Sequence, residues 1–246
     1  MVRRQAGRAR HAKTVPRIVG SVAIEGRAVP LAMRQSRRAR HLSLRLDPAR
    51  DAVELVLPRG VSLREGMRFV AEKSGWILTR LAAQPPRVPF APGAVIPYLG
   101  IDHVISHRPG ARGGAWREGN TLAVSGKAEF LPRRLRDWLK REALRILAER
   151  ARAQAALIGR SVARVRTRDA KTRWGSCAPG GALTFSWRLV MAPEWVLDYV
   201  VAHEVAHLVH AHHGPRFWRL VGRLTPEVEA ARGWLRRNGD RLLRYG

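Results

Sequence analysis

One helical turn constrains this chain more than anything else in it: His203-Glu204-Val205-Ala206-His207, set within the apolar stretch from Tyr199 to Val209. On an α-helix, the two histidines lie about 40° apart around the axis and about 6 Å apart along it. Both imidazoles then face one point, where a metal ion with Zn–N bonds of roughly 2.0–2.1 Å fits. Glu204 is one step round from His203, placed to reach a water on such an ion rather than the ion itself. That is the spacing of hydrolases that activate water on a metal. The neighbours Val200, Val201, Val205, Ala206, Leu208 and Val209 are apolar, so the helix is expected to be largely buried. Two imidazoles and a carboxylate there need partners or a metal, because unpaired burial costs several kcal/mol. Pro193 and Glu194 suit the start of the helix, where proline is tolerated and negative charge is favoured.

A structural zinc site is closed by four protein ligands, whereas a catalytic one keeps a position open for water. The chain has one cysteine, Cys177, so a cysteine-rich cage is excluded. For the third ligand, His210 shares the face of His203 and His207, yet its Cα would sit about 10 Å along the axis from that of His203. His213 is the reading preferred, since Gly214 and Pro215 break the helix and turn the chain back. Glu227 is the rival, although a carboxylate beside Thr225-Pro226 also suits an ordinary helix N-terminus.

Several further pieces occur in order around this turn. They are Thr172-Arg173-Trp174-Gly175-Ser176-Cys177, Leu183-Thr184-Phe185-Ser186-Trp187-Arg188-Leu189, Asp198-Tyr199-Val200-Val201-Ala202-His203-Glu204, and His213-Gly214-Pro215-Arg216-Phe217-Trp218. Jointly they resemble the YgjP-like metallopeptidase family, relatives of the SprT-like and other zincin peptidases. The similarity extends more weakly to Gln35–Arg45. Ser186 departs from the family pattern, which carries Asn there. The resemblance implies a zincin core in which His203, His207 and His213 bind Zn²⁺ and Glu204 is the general acid/base. It also implies that the strand near Leu183 to Trp187 borders the active cleft, where an extended peptide adds to its edge.

The formal charge is +27, from 46 basic and 19 acidic residues. Such an excess admits a polyanionic partner, nucleic acid or nucleotide. The cations are spread along the chain, however, and no nucleic-acid motif or repeating aromatic pattern accompanies them. The substrate that the resemblance implies is a peptide or protein, hydrolysed by metal-activated water. The alternatives are a metal-dependent hydrolase of nucleotides or other phosphate esters, and a nucleic-acid-binding protein with structural zinc. A single cysteine fits a reducing compartment, so the chain is expected to be cytoplasmic. Cys177 is expected as a small side chain packed in a strand or turn. No apolar run is long enough to span a membrane, and the basic amino terminus lacks the continuous apolar core of a secretory signal.

The expected fold class is α+β: a small, mainly β region, then a mixed sheet with a long backing helix and the metal-binding helix. Residues 1–18 are expected to form a basic tail, 19–130 a β-rich region with one helix, and 131–246 the zincin-like domain. Within the β-rich region, a hairpin is expected around Gly26, with alternating strands over Leu42–Leu46 and Val53–Leu57. Ser62 and Glu65 open a helix to Leu81 with a capping box, and Trp76, Ile77 and Leu81 form its apolar face. His103 and His107 are expected at the surface of a strand. Pro132–Ile158 reads as a long helix with Leu135, Trp138, Leu139, Ala143, Ile146 and Leu147 at core spacing. Strands follow over Val162–Arg168 and Leu183–Leu189, joined by turns at Gly175–Gly181, and helices over 216–222 and 226–237 close the chain, with Phe217, Trp218, Leu220 and Trp234 in the core.

Overall fold

The computed structural model describes residues 17–47, 50–170 and 172–246. The basic tail expected over 1–18 lies outside these, apart from its last two residues, which already belong to a strand. Contacts divide the chain into two compact units, Met1–Gln84 and Pro85–Gly246.

Four strands open the first unit: β1 (Arg17–Ile24), β2 (Arg27–Ser36), β3 (Ser43–Asp47) and β4 (Ala52–Pro58). The hairpin expected at Gly26 forms, with Ile24 facing Arg27 and Glu25 and Gly26 at φ 49° and 78°. Two consecutive positive φ values give the turn whose twist matches paired antiparallel strands. The sheet order is β1-β2-β4-β3, with a parallel β2–β4 pair at its centre. Ser62 caps α1 (Leu63–Glu72), and both bonds of the capping box are made. The helix expected to continue to Leu81 breaks at Lys73 and restarts as α2 (Ser74–Ala82). A Ser-Gly pair at that point makes such a break cheap. Ile77 and Leu81 join Leu55, Leu57 and Val70 in the core, but Trp76 is 42% exposed, contrary to expectation. Adjacent helical residues point about 100° apart, so burying Ile77 turns Trp76 outward, under the Arg80 guanidinium.

The second unit repeats the same sheet pattern with β5 (Val95–Tyr98), β6 (Ile101–Arg108), β7 (Ala115–Glu118) and β8 (Thr121–Ser125), ordered β5-β6-β8-β7. Next comes α3 (Leu131–Ala156), in which every expected core position is buried. These residues share one hydrophobic cluster with Ile96, Ile105, Leu122 and Val124 of the sheet. The division therefore falls at Gln84 rather than near 130: residues 85–130 build the sheet that covers α3, while the first sheet closes its core on α1 and α2. His103 is buried rather than at the surface, on the same face as Ile105, with Nδ1 2.7 Å from the Ile101 carbonyl. His107 Nε2 lies 2.6 Å from the Gly126 carbonyl.

A third sheet comprises β9 (Arg164–Arg168), β10 (Gly175–Cys177) and β11 (Ala182–Ser186) in the order β10-β11-β9. The segment Gly175–Gly181, expected as turns, thus contributes a strand, and the strand expected to reach Leu189 stops at Ser186. Trp187–Met191 instead forms a 3-10 turn. β11 pairs on both sides, antiparallel to β10 and parallel to β9, so it has no free edge for a peptide; that edge belongs to β10. The chain then enters α4 (Glu194–Ala206), α5 (Pro215–Leu224) and α6 (Val228–Leu242). The β5–β6 turn fixes the entry to α4. Leu99 N–H donates to the Val190 carbonyl at 2.7 Å, and Gly100 packs so closely that a Cβ would stand 2.8 Å from Pro193 Cα. Among the described residues, no helix is long and apolar enough to cross a membrane.

Candidate metal centre

α4 packs apolar side chains around most of its circumference: Val196, Leu197, Val200, Val201, Ala202, Val205 and Ala206 are all buried. Packing therefore fixes the direction of its polar side chains. Arg150 of α3 ties the exposed edge, reaching Glu194 at 2.6 Å and Asp198 at 3.1 Å. The helix ends at Ala206, short of Val209, and His207 is its C-cap. His207 Nδ1 lies 2.9 Å from the His210 carbonyl. A carbonyl only accepts, so Nδ1 carries the proton and Nε2 offers its lone pair. Gly214, in extended conformation, begins α5, and the chain turns back as Gly214-Pro215 led one to expect.

This return brings His213 Nε2 to 3.0 Å from His203 Nε2. One ring nitrogen from each of His203, His207 and His213 lies within 4.8 Å of the others; among the described residues these three form the one group able to hold a metal. Glu227, at the start of α6, is not part of it, and His210 contributes its carbonyl rather than its ring. Burial, then the His207 and His213 rings, push His203 down to about 4. His213 is also lowered, by burial and by the His207 and His212 rings. Three imidazole nitrogens converging in this way form the donor set that a divalent cation accepts.

Two aromatic residues of α5 brace the triad. The Phe217 ring is buried, with its centroid 4.9, 4.6 and 4.7 Å from those of His203, His207 and His213. Trp218 stacks on His213 at 5.9 Å and meets His203 edge-on at 5.7 Å, while Arg232 covers it at 5.0 Å. Among the described residues, the buried His203 Nδ1 has no hydrogen-bond partner, and ring packing orients this histidine. The sequence places Phe217 and Trp218 in a core; that the core is the wall of the triad emerges only in three dimensions.

Glu204 is 6% exposed. Burial raises its carboxyl to about 7, against the opposing pull of the Arg173 charge and the Cys177 backbone N–H. Its side chain lies flat on β10: a Cβ at Gly175 would stand 2.5 Å from both Glu204 Cγ and Oε1. Gly175, which sequence reasoning passes over as part of a turn, is the position that leaves room for the Glu204 side chain. Beside the triad opens a cleft of about 710 Å³, walled by Arg173, the three residues of β10, Glu204, Leu208 and the three histidines. Cys177 is half-buried in this wall, and burial followed by the Glu204 charge raises its thiol. Tyr199 is buried edge-on against His203 at 6.0 Å, outside the cleft wall. Arg188 is turned away, holding Asp169 at 2.8 Å and the Leu242 and Tyr245 carbonyls at 2.9 and 2.7 Å. Ser186 is buried and absent from the cleft wall, so the departure from Asn there touches no lining residue.

Three converging imidazoles beside a buried carboxylate in an open cleft are the parts of a metal-dependent hydrolase. Residues 40–238, a stretch reaching into both units, match the YgjP-like metallopeptidase domain, and the chain belongs to that family. Among solved structures, the crystal structure of the metallopeptidase zymogen of Pyrococcus abyssi abylysin is similar at 26% identity. The match covers 42% of this chain and 97% of that one, with a TM-score of 0.33. No curated protein matches.

Proposed function

We propose that the protein is a zinc metallopeptidase in which His203, His207 and His213 hold the ion and Glu204 moves the proton. The observation that carries this reading is the convergence of the three ring nitrogens within 4.8 Å of one another beside Glu204. Bound there, zinc would polarise a peptide carbonyl and bring the pKa of a water toward about 7. Glu204, buried on the cleft wall beside the triad, is placed to take that water's proton and return it to the leaving amine. Arg173, on the cleft wall, supplies positive charge where the carbonyl oxygen becomes negative. β10 has one edge unpaired within its sheet and lines the cleft, so an extended substrate adds to it by backbone hydrogen bonds. Three protein ligands facing a cleft favour a catalytic over a structural ion.

Metal analysis and peptidase assays of four purified chains test this. Wild type should carry zinc, Glu227→Ala should keep it, and His213→Ala should lose most of it. Glu204→Gln should retain metal but lose activity by on the order of 10²–10⁴-fold. A Glu204→Gln chain with zinc and undiminished cleavage refutes the role given to Glu204.

A further inference from the structure

The turn that carries His207 and His213 has a second face. Through Val209 and His210 it walls a separate groove of about 610 Å³, completed by Leu157 and Ile158 after α3 and by α5. α5 contributes Arg216, Arg219 and Arg223 at intervals of three and four residues, hence along one side of the helix. None of the three meets a carboxylate among the described residues. Below them the floor is aliphatic and open: Leu157 is 73% exposed and Val209 39%.

We propose that this groove is a docking site for an acidic, leucine-bearing segment of a protein substrate whose neighbouring residues lie in the cleft. The proposal rests on the peptidase reading and deepens it. Charge complementarity selects the occupant: three guanidiniums in a row, without internal partners, match carboxylates on a bound chain. The floor favours peptide over nucleic acid, because its aliphatic side chains, Leu157, Ile158, Val209 and Leu220, accept leucine, while His210 is the single ring in the lining that a base could stack on. The amino-terminal segment 1–16 has no acidic residue, so it does not fit. Groove and cleft adjoin across one turn, which turns His207, Leu208, Ala211 and His213 to the cleft and Val209 and His210 to the groove.

The test uses the full chain with Glu204→Gln, which prevents cleavage, and a fluorescent peptide alternating Glu and Leu, read by anisotropy at physiological salt. Arg219→Glu and Leu157→Asp should each weaken binding about tenfold, whereas Arg236→Glu, outside the groove, should change it less than about twofold. A peptide with Lys in place of Glu should not bind. The proposal is overturned if Arg219→Glu and Leu157→Asp leave the affinity unchanged, if Arg236→Glu weakens it equally, or if a single-stranded oligonucleotide displaces the peptide. Failure of the peptidase reading shows separately, as absence of cleavage of any peptide by the active chain, and leaves the binding result to stand.

Discussion

A methyl group at position 175 would stand 2.5 Å from Glu204 Oε1 and 2.8 Å from its Cδ. Gly175→Ala therefore displaces the carboxylate while leaving the histidines alone. Because an ångström of misplacement in a catalytic group costs on the order of 10²-fold, activity should fall by about that factor with metal content unchanged. A variant that lost metal instead would show that Gly175 supports the triad rather than Glu204. The same carboxylate gives the metal-free protein a specific pH dependence. Its pKa is raised from 4.5 to about 7, so the folded state keeps a proton that the unfolded state has released. Its contribution to stability is whole below about 4.5 and is lost as pH rises through about 7. His203 acts oppositely: lowered from 6.5 to about 4, it contributes fully above 6.5 and less as pH falls toward 4. Comparing urea unfolding of chelated wild type and Glu204→Gln isolates the first effect. The variant's relative stability should climb between pH 4.5 and 7, by on the order of 3 kcal/mol; a flat difference refutes the raised pKa.

α5 does two things for the site, delivering His213 at its start and bracing the triad with Phe217 and Trp218. Trp218 is the accessible probe of the second role, since it is half-buried and stacks on the histidine that is most exposed. Trp218→Ala should weaken zinc binding about tenfold, the scale of losing a side chain that holds a metal-binding histidine in place, measured by competition with a chelator. Trp218→Phe should restore most of it, and unchanged affinity in Trp218→Ala would mean that the stack orients nothing. What the sequence reveals of such elements follows from where their information resides. α3 is legible because six of its core residues recur at helical spacing, and α4 because the His203–His207 interval has meaning on a helix alone. His213 is legible because Gly214 and Pro215 act locally. β10 is not: three residues, Gly175–Cys177, gain their strand character from pairing with Leu183–Phe185, a tertiary fact. The same holds for the end of β11 at Ser186 and the burial of His103, each decided by neighbours remote in sequence. The break at Lys73 is a local signal outweighed by the apolar spacing on either side.

Both units carry one sheet pattern, two antiparallel hairpins joined by a parallel pair at the centre, each followed by helix. Each also has its own hydrophobic cluster: Ile24 to Leu81 in the first, Phe90 to Tyr245 in the second. The second unit moreover fastens its own ends together. Val88 N–H donates to the Arg244 carbonyl at 3.1 Å, Gly246 N–H to the Val88 carbonyl at 3.0 Å, and Arg244 Nε to the Pro85 carbonyl at 2.8 Å. A cut after Gln84 leaves all of these bonds, the whole of the larger cluster and all three histidines of the candidate metal centre on one side. A compact chain with its own core is expected to fold alone. Residues 85–246 should therefore be soluble, give dispersed amide resonances and bind zinc with an affinity within about threefold of the full chain, a difference below about 1 kcal/mol. If the fragment folds and binds zinc but no longer cleaves peptides, residues 1–84 serve substrate recognition rather than the metal. If it gives collapsed resonances and binds no zinc, the two clusters do not mark independently stable units, and the triad depends on residues before Pro85.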